Sequence, residues 1–454
     1  MSTVSLLRFE WRRANVVLAG LLVVGALAIP LVFTIELSDV FALPKTATVL
    51  VLTAILLPGL LVMGVRWGVF AVGNWSVATV ALVAYLVLTT AATLHSADPT
   101  QSVFGERLQY QGLLATLAYL VAFVAARTAL SSERRIRALA IAVVAAATVA
   151  SLYGLAQQVG LDPIWHVLDR GRIFSTLGQA NALAAYLVLA LPLAVVFGLT
   201  VVGRMQRLAL LGAGGVIAIA LALTLSRGGY LGALVAMSVM GALLFRRSML
   251  TRRRLGLVGA AVFVVGMVSF SPLVAPSLNR IVQRASMTID LAEGSAASHL
   301  DLWAVGVRMA TDYPVLGTGP EMYPVLFSQY RDRVLPPGQA AIMARFRPES
   351  PHDVPIAIAA GAGLPALLAY LMIVLGALAA GWRWMRAERS RTERLLLAGL
   401  LAAALGHVTT DLFMTAEVAG SWTFWVLLGI LAAGKRGQPR WEGAMPIAPR
   451  VHLG

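Results

Sequence analysis

The chain has 454 residues, of which 59% are hydrophobic and only 13% charged, and its mean hydropathy is +0.81. A soluble domain carries roughly 25% charged residues, so the excess apolar surface must be covered by lipid, and a soluble enzyme or signalling domain is excluded. The net charge of +15 does not imply nucleic acid, because the basic residues collect in short connectors between apolar runs; with no cysteine, no disulfide or thiolate metal site is available.

Continuous apolar runs of about 20 residues predict an all-α, polytopic integral membrane protein, since barrel strands would alternate over about 10 residues. In chain order about twelve spans are expected, at residues 14–33, 46–64, 75–94, 110–130, 136–156, 180–200, 208–225, 228–245, 255–275, 353–381, 394–412 and 420–434. The chain thus divides into membrane helices 1–9 over residues 1–275, a long loop with short helices over 276–351, helices 10–12 over 352–434, and a tail over 435–454. Most of the Lys and Arg fall in alternate connectors, among them Arg12, Arg13, Arg134, Arg135, Arg253 and Arg386, while most acidic residues fall in the others. The positive-inside rule places the basic connectors and both termini in the cytoplasm, and the long loop outside. Arg8, Arg12 and Arg13 lead into a full-length span with no small-residue cleavage site behind it, so no cleavable signal is read there.

Two outward connectors stand out before the long loop. Residues 157–176 are too polar to cross and carry Asp162, His166, Asp169, Arg170 and Arg172. The Ser226-Arg227-Gly228-Gly229 stretch interrupts an apolar run from 208 to 245, which is too long for one helix and fits two joined by a tight turn. An arginine at such depth costs about 2.5 to 3.5 kcal/mol on insertion scales, so it is usually paired or functional, although snorkelling to the interface is the plain alternative.

In the long loop, Leu302, Val305 and Met309 recur at helical spacing opposite Asp301 and Arg308, which predicts an amphipathic interfacial helix over residues 298–310. Gly317-Thr318-Gly319-Pro320 reads as a turn. The basic run Arg331, Arg333, Arg345 and Arg347 around Pro336-Pro337-Gly338 reads as a mobile flap. The loop ends in Glu349-Ser350-Pro351-His352-Asp353, a polar cluster set against the tenth apolar run.

Four segments, in order, resemble the O-antigen ligase and polymerase superfamily of bacterial membrane glycosyltransferases. They are Arg107-Leu108-Gln109-Tyr110-Gln111-Gly112-Leu113, then Arg172-Ile173-Phe174-Ser175-Thr176-Leu177-Gly178-Gln179-Ala180-Asn181, then Ser226-Arg227-Gly228-Gly229-Tyr230-Leu231-Gly232, and last Trp303 through Gly319 followed by His352 and Gly361-Ala362-Gly363-Leu364. The resemblance implies transfer of a glycan from undecaprenyl diphosphate to an acceptor hydroxyl on the outer face of the bacterial inner membrane, inverting the anomeric centre with no metal or other cofactor. It implies His352 as the catalytic histidine, Arg227 and Arg172 as ligands of the diphosphate, and Arg107 as a weaker candidate of that kind. The chain departs from the family pattern twice, with Asp353 where asparagine usually follows the histidine and His299 where an arginine often precedes the tryptophan.

These residue types suit the chemistry. Arginine stays charged and offers phosphate a planar fork of donors, and preorganised charge on a leaving group is often the largest catalytic contribution. Histidine, with an unperturbed pKa of about 6.5, is mostly neutral at pH 7 and accepts a proton. His352 also reads as a plain interfacial residue at a helix start, and Arg172 as a partner for Asp169. The leading reading is an O-antigen ligase acting on a lipid A core sugar, with a polymerase or a protein-directed transferase as its acceptor variants. The rival from another class is a lipid-linked glycan transporter using His407 and Asp411, an i, i+4 pair on one helix face. Neither nucleic acid nor a clustered metal site is indicated, and the lipid diphosphate supplies the driving force.

Overall fold

The computed structural model describes residues 3–67, 77–162, 164, 171–201, 203–246, 295–388 and 390–434. Among these the structure is all-helical. The first part comprises α1 (Thr3–Ala28), α2 (Ala42–Trp67), α3 (Val77–His95), a short α4 (Pro99–Phe104), α5 (Leu113–Ala129), α6 (Glu133–Gln158), α7 (Ala180–Thr200), α8 (Arg204–Leu223) and α9 (Arg227–Arg246). The second comprises α10 (Ser295–Asp312), α11 (Tyr323–Val334), α12 (Pro337–Met343), α13 (Val354–Ala362), α14 (Leu364–Ala387), α15 (Arg391–Asp411) and α16 (Val418–Ala433).

The chain is a polytopic membrane protein. Among the described residues seven helices, namely α2, α3, α6, α7, α8, α9 and α14, are long and apolar enough to cross a membrane, and shorter apolar helices lie in α1, α5 and α16. The expected eleventh span appears as α15, with Arg391, Glu393 and Arg394 in its first turn and Asp411 at its end. The expected ninth span at 255–275, the start of the loop and the tail at 435–454 lie outside the described residues.

The bundle is organised about α7. Of its apolar window 94% is buried, against 28% for α8 and for α9, so α7 is the axis and the other two keep lipid-facing sides. Rows of exposed apolar residues mark such sides elsewhere, with Val51, Ile55 and Val62 on α2 and Leu368 and Leu375 on α14. In lipid such rows need no further cover, because hydrocarbon replaces a protein partner.

The tenth expected span is not one helix. It breaks at Gly363, whose φ is +86°, into α13 and α14. A break strands the last carbonyls of the first segment, and here the turn after α10 takes them up: Thr318 N donates to Ala360 O at 2.8 Å and Gly319 N to Gly361 O at 2.9 Å, while Leu364 N donates back to Pro314 O at 2.8 Å. A Cβ on Gly363 would run into the Val315 carbonyl, so only glycine allows this approach. Two of the motifs noted in the sequence therefore interlock, and they fasten the loop to the bundle.

Helix α10 forms as expected, but its apolar face does not lie on the membrane interface. Leu302, Val305 and Met309 are buried against Tyr323 and Phe327 of α11 and Met343 of α12. Of the basic stretch read as a flap, Arg331 and Arg333 lie in α11, Pro337 and Gly338 open α12, and Arg345 and Arg347 follow α12 as exposed residues. Tyr323, Phe327 and Tyr330 recur at i, i+4 and i+7, giving α11 an apolar stripe that its arginines mask in the sequence.

Candidate active site

The turn at Ser226 joins α8 to α9 as the glycine pattern predicts. Leu225 takes a φ of +50°, and the Ser226 hydroxyl accepts the Gly229 N–H at 3.4 Å, capping α9. A second loop clamps this turn. Arg172 Nε donates to Thr224 O at 2.7 Å, Arg172 Nη2 donates to Asn181 Oδ1 at 2.8 Å, and the Ser226 hydroxyl donates to that same oxygen at 2.9 Å. Arg227 is thereby held in the first turn of α9, where the helix dipole adds to its positive potential. Gly228 lets the turn pack on the segment after α15, since a Cβ there would lie 2.8 Å from Met414 Cε and 3.1 Å from Phe413 Cβ.

His352 comes from the other side of the site. Its φ of +53° is uncommon for a side-chain-bearing residue, and polar contacts hold it there. Its backbone N–H donates to Ser350 Oγ at 3.0 Å, its Nδ1 lies 2.8 Å from Thr415 Oγ1, and that hydroxyl lies 2.7 Å from Ser350 Oγ. Asp353 instead turns to its own helix, accepting the Ile356 N–H at 2.7 Å as the cap of α13. An asparagine would cap equally well, so this departure from the family pattern leaves the histidine's orientation to Thr415.

With Nδ1 engaged, Nε2 is the ring nitrogen left for a substrate. The His299 ring stands 5.5 Å from the His352 ring, edge to face, and next along α10 Trp303 packs 6.0 Å from Phe413. Burial, and after it the charge of Arg227, lower the pKa of His299. Burial, and after it His299, bring His352 from 6.5 down to about 4. Both imidazoles are therefore neutral at pH 7, and Arg227, His299 and His352 share one electrostatic neighbourhood although they come from three separate segments. His299 Nδ1 and Trp303 Nε1 are buried and neither has a hydrogen-bond partner among the described residues. A buried polar atom left in that state costs about 1 to 3 kcal/mol, and two beside one histidine point to a polar ligand.

The family model described as O-antigen ligase matches residues 212–371, a stretch that takes in Arg227, His299, Trp303 and His352 and stops short of Arg172 and Thr415. Over that stretch the chain is similar to the O-antigen ligase family. No curated protein matches it.

The site residues picked out in the sequence divide. Arg227 and His352 converge, and Arg172 joins them through the turn it holds. Arg107 does not: it is exposed on the connector between α4 and α5, tied to the histidine's segment only at one remove, where Gln109 Nε2 donates to Glu349 Oε2 at 3.1 Å. His95 is exposed at the end of α3, and His166 lies outside the described residues. His407 is buried against the Phe424 ring with its Nε2 3.5 Å from Asp411 Oδ1. The sequence reading underrated His299, quoted Ser350 and Asn181 without giving them a role, and missed Thr415. The i, i+4 spacing of His299 and Trp303 on a helix carried a usable signal; Thr415 carried none, being an ordinary hydroxyl in a short connector.

Proposed function

We propose that this protein is an inverting glycosyltransferase of the O-antigen ligase type, moving a glycan from undecaprenyl diphosphate to a hydroxyl of a lipid A core sugar. The observation that carries the proposal is the convergence of Arg227, His299 and a neutral His352, with unpartnered polar atoms of His299 and Trp303 beside them. In this reading Arg227 binds the diphosphate and stabilises the charge it gains on leaving. Arg172 contributes to the same site while two of its donors hold the turn. His352 Nε2 removes the proton of the attacking hydroxyl, and Arg107 is a peripheral ligand at most. The protein sits in the bacterial inner membrane with both termini in the cytoplasm, and the site opens to the periplasm, where donor and acceptor lipids meet.

The test is glycan transfer by the purified full chain in proteoliposomes supplied with undecaprenyl-diphosphate glycan and lipid A core, read as a gel shift. One discrete product is expected, and His352→Ala should reduce it by about a hundredfold or more, the scale of a lost general base. A product ladder formed without lipid A core would indicate polymerase activity instead. Undiminished transfer by His352→Ala would remove the base from the scheme.

A further inference from the structure

A cavity of about 110 Å³ borders His352 through the residues that hold it. Ser350, Asp353 and Thr415 are in its wall, together with Gln109, Glu321 and Asp411. A water needs about 10 to 15 Å³ of such space and two to four polar partners, so a cavity of this size and lining has room for several. Its carboxylates are engaged by neutral groups: Glu321 accepts the Glu106 N–H at 3.4 Å, Asp353 accepts the Ile356 N–H at 2.7 Å, and Asp411 faces His407 Nε2 at 3.5 Å. The nearer Glu349 is bonded to Gln109. On its other side His352 faces His299, with the Arg227 charge behind it.

That surrounding sets a problem for a general base. An imidazolium at His352 would be buried and would stand beside the His299 ring, which is why its pKa lies near 4. The structure also holds a way round it, because His352 Nδ1, Thr415 Oγ1 and Ser350 Oγ form an unbroken line at 2.8 and 2.7 Å that ends in the cavity wall.

We propose that Thr415 and Ser350 are positioning residues that pass a proton from His352 into the hydrated cavity as transfer occurs, so that His352 accepts the substrate proton without becoming a cation. The inference rests on the reading of His352 as the base. In the step, the acceptor O–H bond breaks and its proton bonds to Nε2, while the oxygen forms the new glycosidic bond and the sugar C–O bond to diphosphate breaks, its electron pair leaving with the diphosphate. Nδ1–H passes its proton to Thr415 Oγ1, the Thr415 hydroxyl passes its own to Ser350 Oγ, and the Ser350 hydroxyl passes its own to cavity water shared by the carboxylates. Each hydroxyl gives one proton and gains one. As product departs, Nε2 releases its proton to solvent, the cavity returns one along the same line, and the starting tautomer is restored.

The experiment compares wild type with Thr415→Val, Thr415→Ser, Ser350→Ala and His352→Ala, all as full chains in proteoliposomes with the donor and acceptor named above. Ser350→Ala keeps the Thr415 contact to His352 and removes the outer link together with the acceptor of the His352 N–H, so the deuterium dependence, which a merely structural loss would leave curved, is read beside kcat. It is expected to lower kcat about tenfold or more with both KM values nearly unchanged, and to turn a curved dependence of rate on deuterium content into a straight line. Thr415→Val should match it and Thr415→Ser should restore most of the rate. If Thr415→Val is not recovered folded by gel filtration, the Ser350→Ala result decides alone. Wild-type kcat and curvature in Ser350→Ala, with His352→Ala inactive, overturn the relay and leave the base standing; an active His352→Ala overturns both.

Discussion

The Arg172 guanidinium and the Thr224 carbonyl meet at 2.7 Å across 52 positions of sequence, so the turn that presents Arg227 is fixed by a residue from another loop. The same side chain reaches Asn181 with a second nitrogen. A planar fork serves two acceptors at once, whereas an ammonium is a single flexible point of charge. Arg172→Lys, which keeps the charge, is therefore expected to lower glycan transfer about tenfold or more and to lower the Tm, with Arg172→Ala no worse in stability. Wild-type transfer by the lysine variant would show that the fork is dispensable.

The low pKa of His352 has two consequences of known sign. For activity, the acid limb of the kcat/KM profile should lie near pH 4 rather than at the 6.5 of an ordinary histidine, because the base stays unprotonated until then. His299→Gln should move that limb upward, by less than full exposure would, since burial is the larger cause. For stability, the unfolded chain binds a proton that the native state declines, so the contribution of neutral His352 is complete above pH 6.5 and is lost as pH falls through about 4. Thermal unfolding of His352→Gln across that window should show a flatter pH dependence than wild type.

Glu321 behaves in the opposite sense. Burial, partly offset by the Glu106 N–H, raises its carboxyl from 4.5 to about 7. A raised acid holds its proton in the native state, so its contribution is complete below pH 4.5 and is lost as pH rises through about 7. Glu321→Gln keeps an acceptor for that N–H and is expected to raise the Tm at pH 8 while leaving it unchanged at pH 4.

The crossing of α9 and α15 depends on two glycines in mutual contact. A Cβ on Gly232 would lie 2.8 Å from the Gly406 carbonyl oxygen, and a Cβ on Gly406 would lie 2.9 Å from that of Gly232. Backbone offers no rotamer by which to yield, so Gly232→Ala should destabilise by about 1 to 3 kcal/mol and, by pushing α9 from α15, reduce transfer through Arg227. Gly212→Ala is the control: nothing lies within 4 Å of its Cβ, so unfolding should be unchanged or slightly more resistant, because alanine favours helix by about 1 kcal/mol over glycine.

The membrane character, the helical class and the presence of most helices were decided by sequence, because a backbone in hydrocarbon must satisfy its own polar groups and only long apolar runs can do so. The same rule made Arg227 and His352 conspicuous, since charge or titratable groups at breaks in apolar runs are expensive and therefore few. Tertiary structure alone decided the rest. Gly363 splits the tenth span because a loop 45 or so residues upstream supplies donors to the stranded carbonyls, and α10 buries its apolar face in a loop core whose partners no periodicity within α10 could name. His299 meets His352, Asn181 ties Arg172 to Ser226, and Thr415 meets His352 across 63 positions. Such contacts are made by how helices cross, and a hydroxyl or an amide looks the same in sequence whether it faces water or orients a histidine.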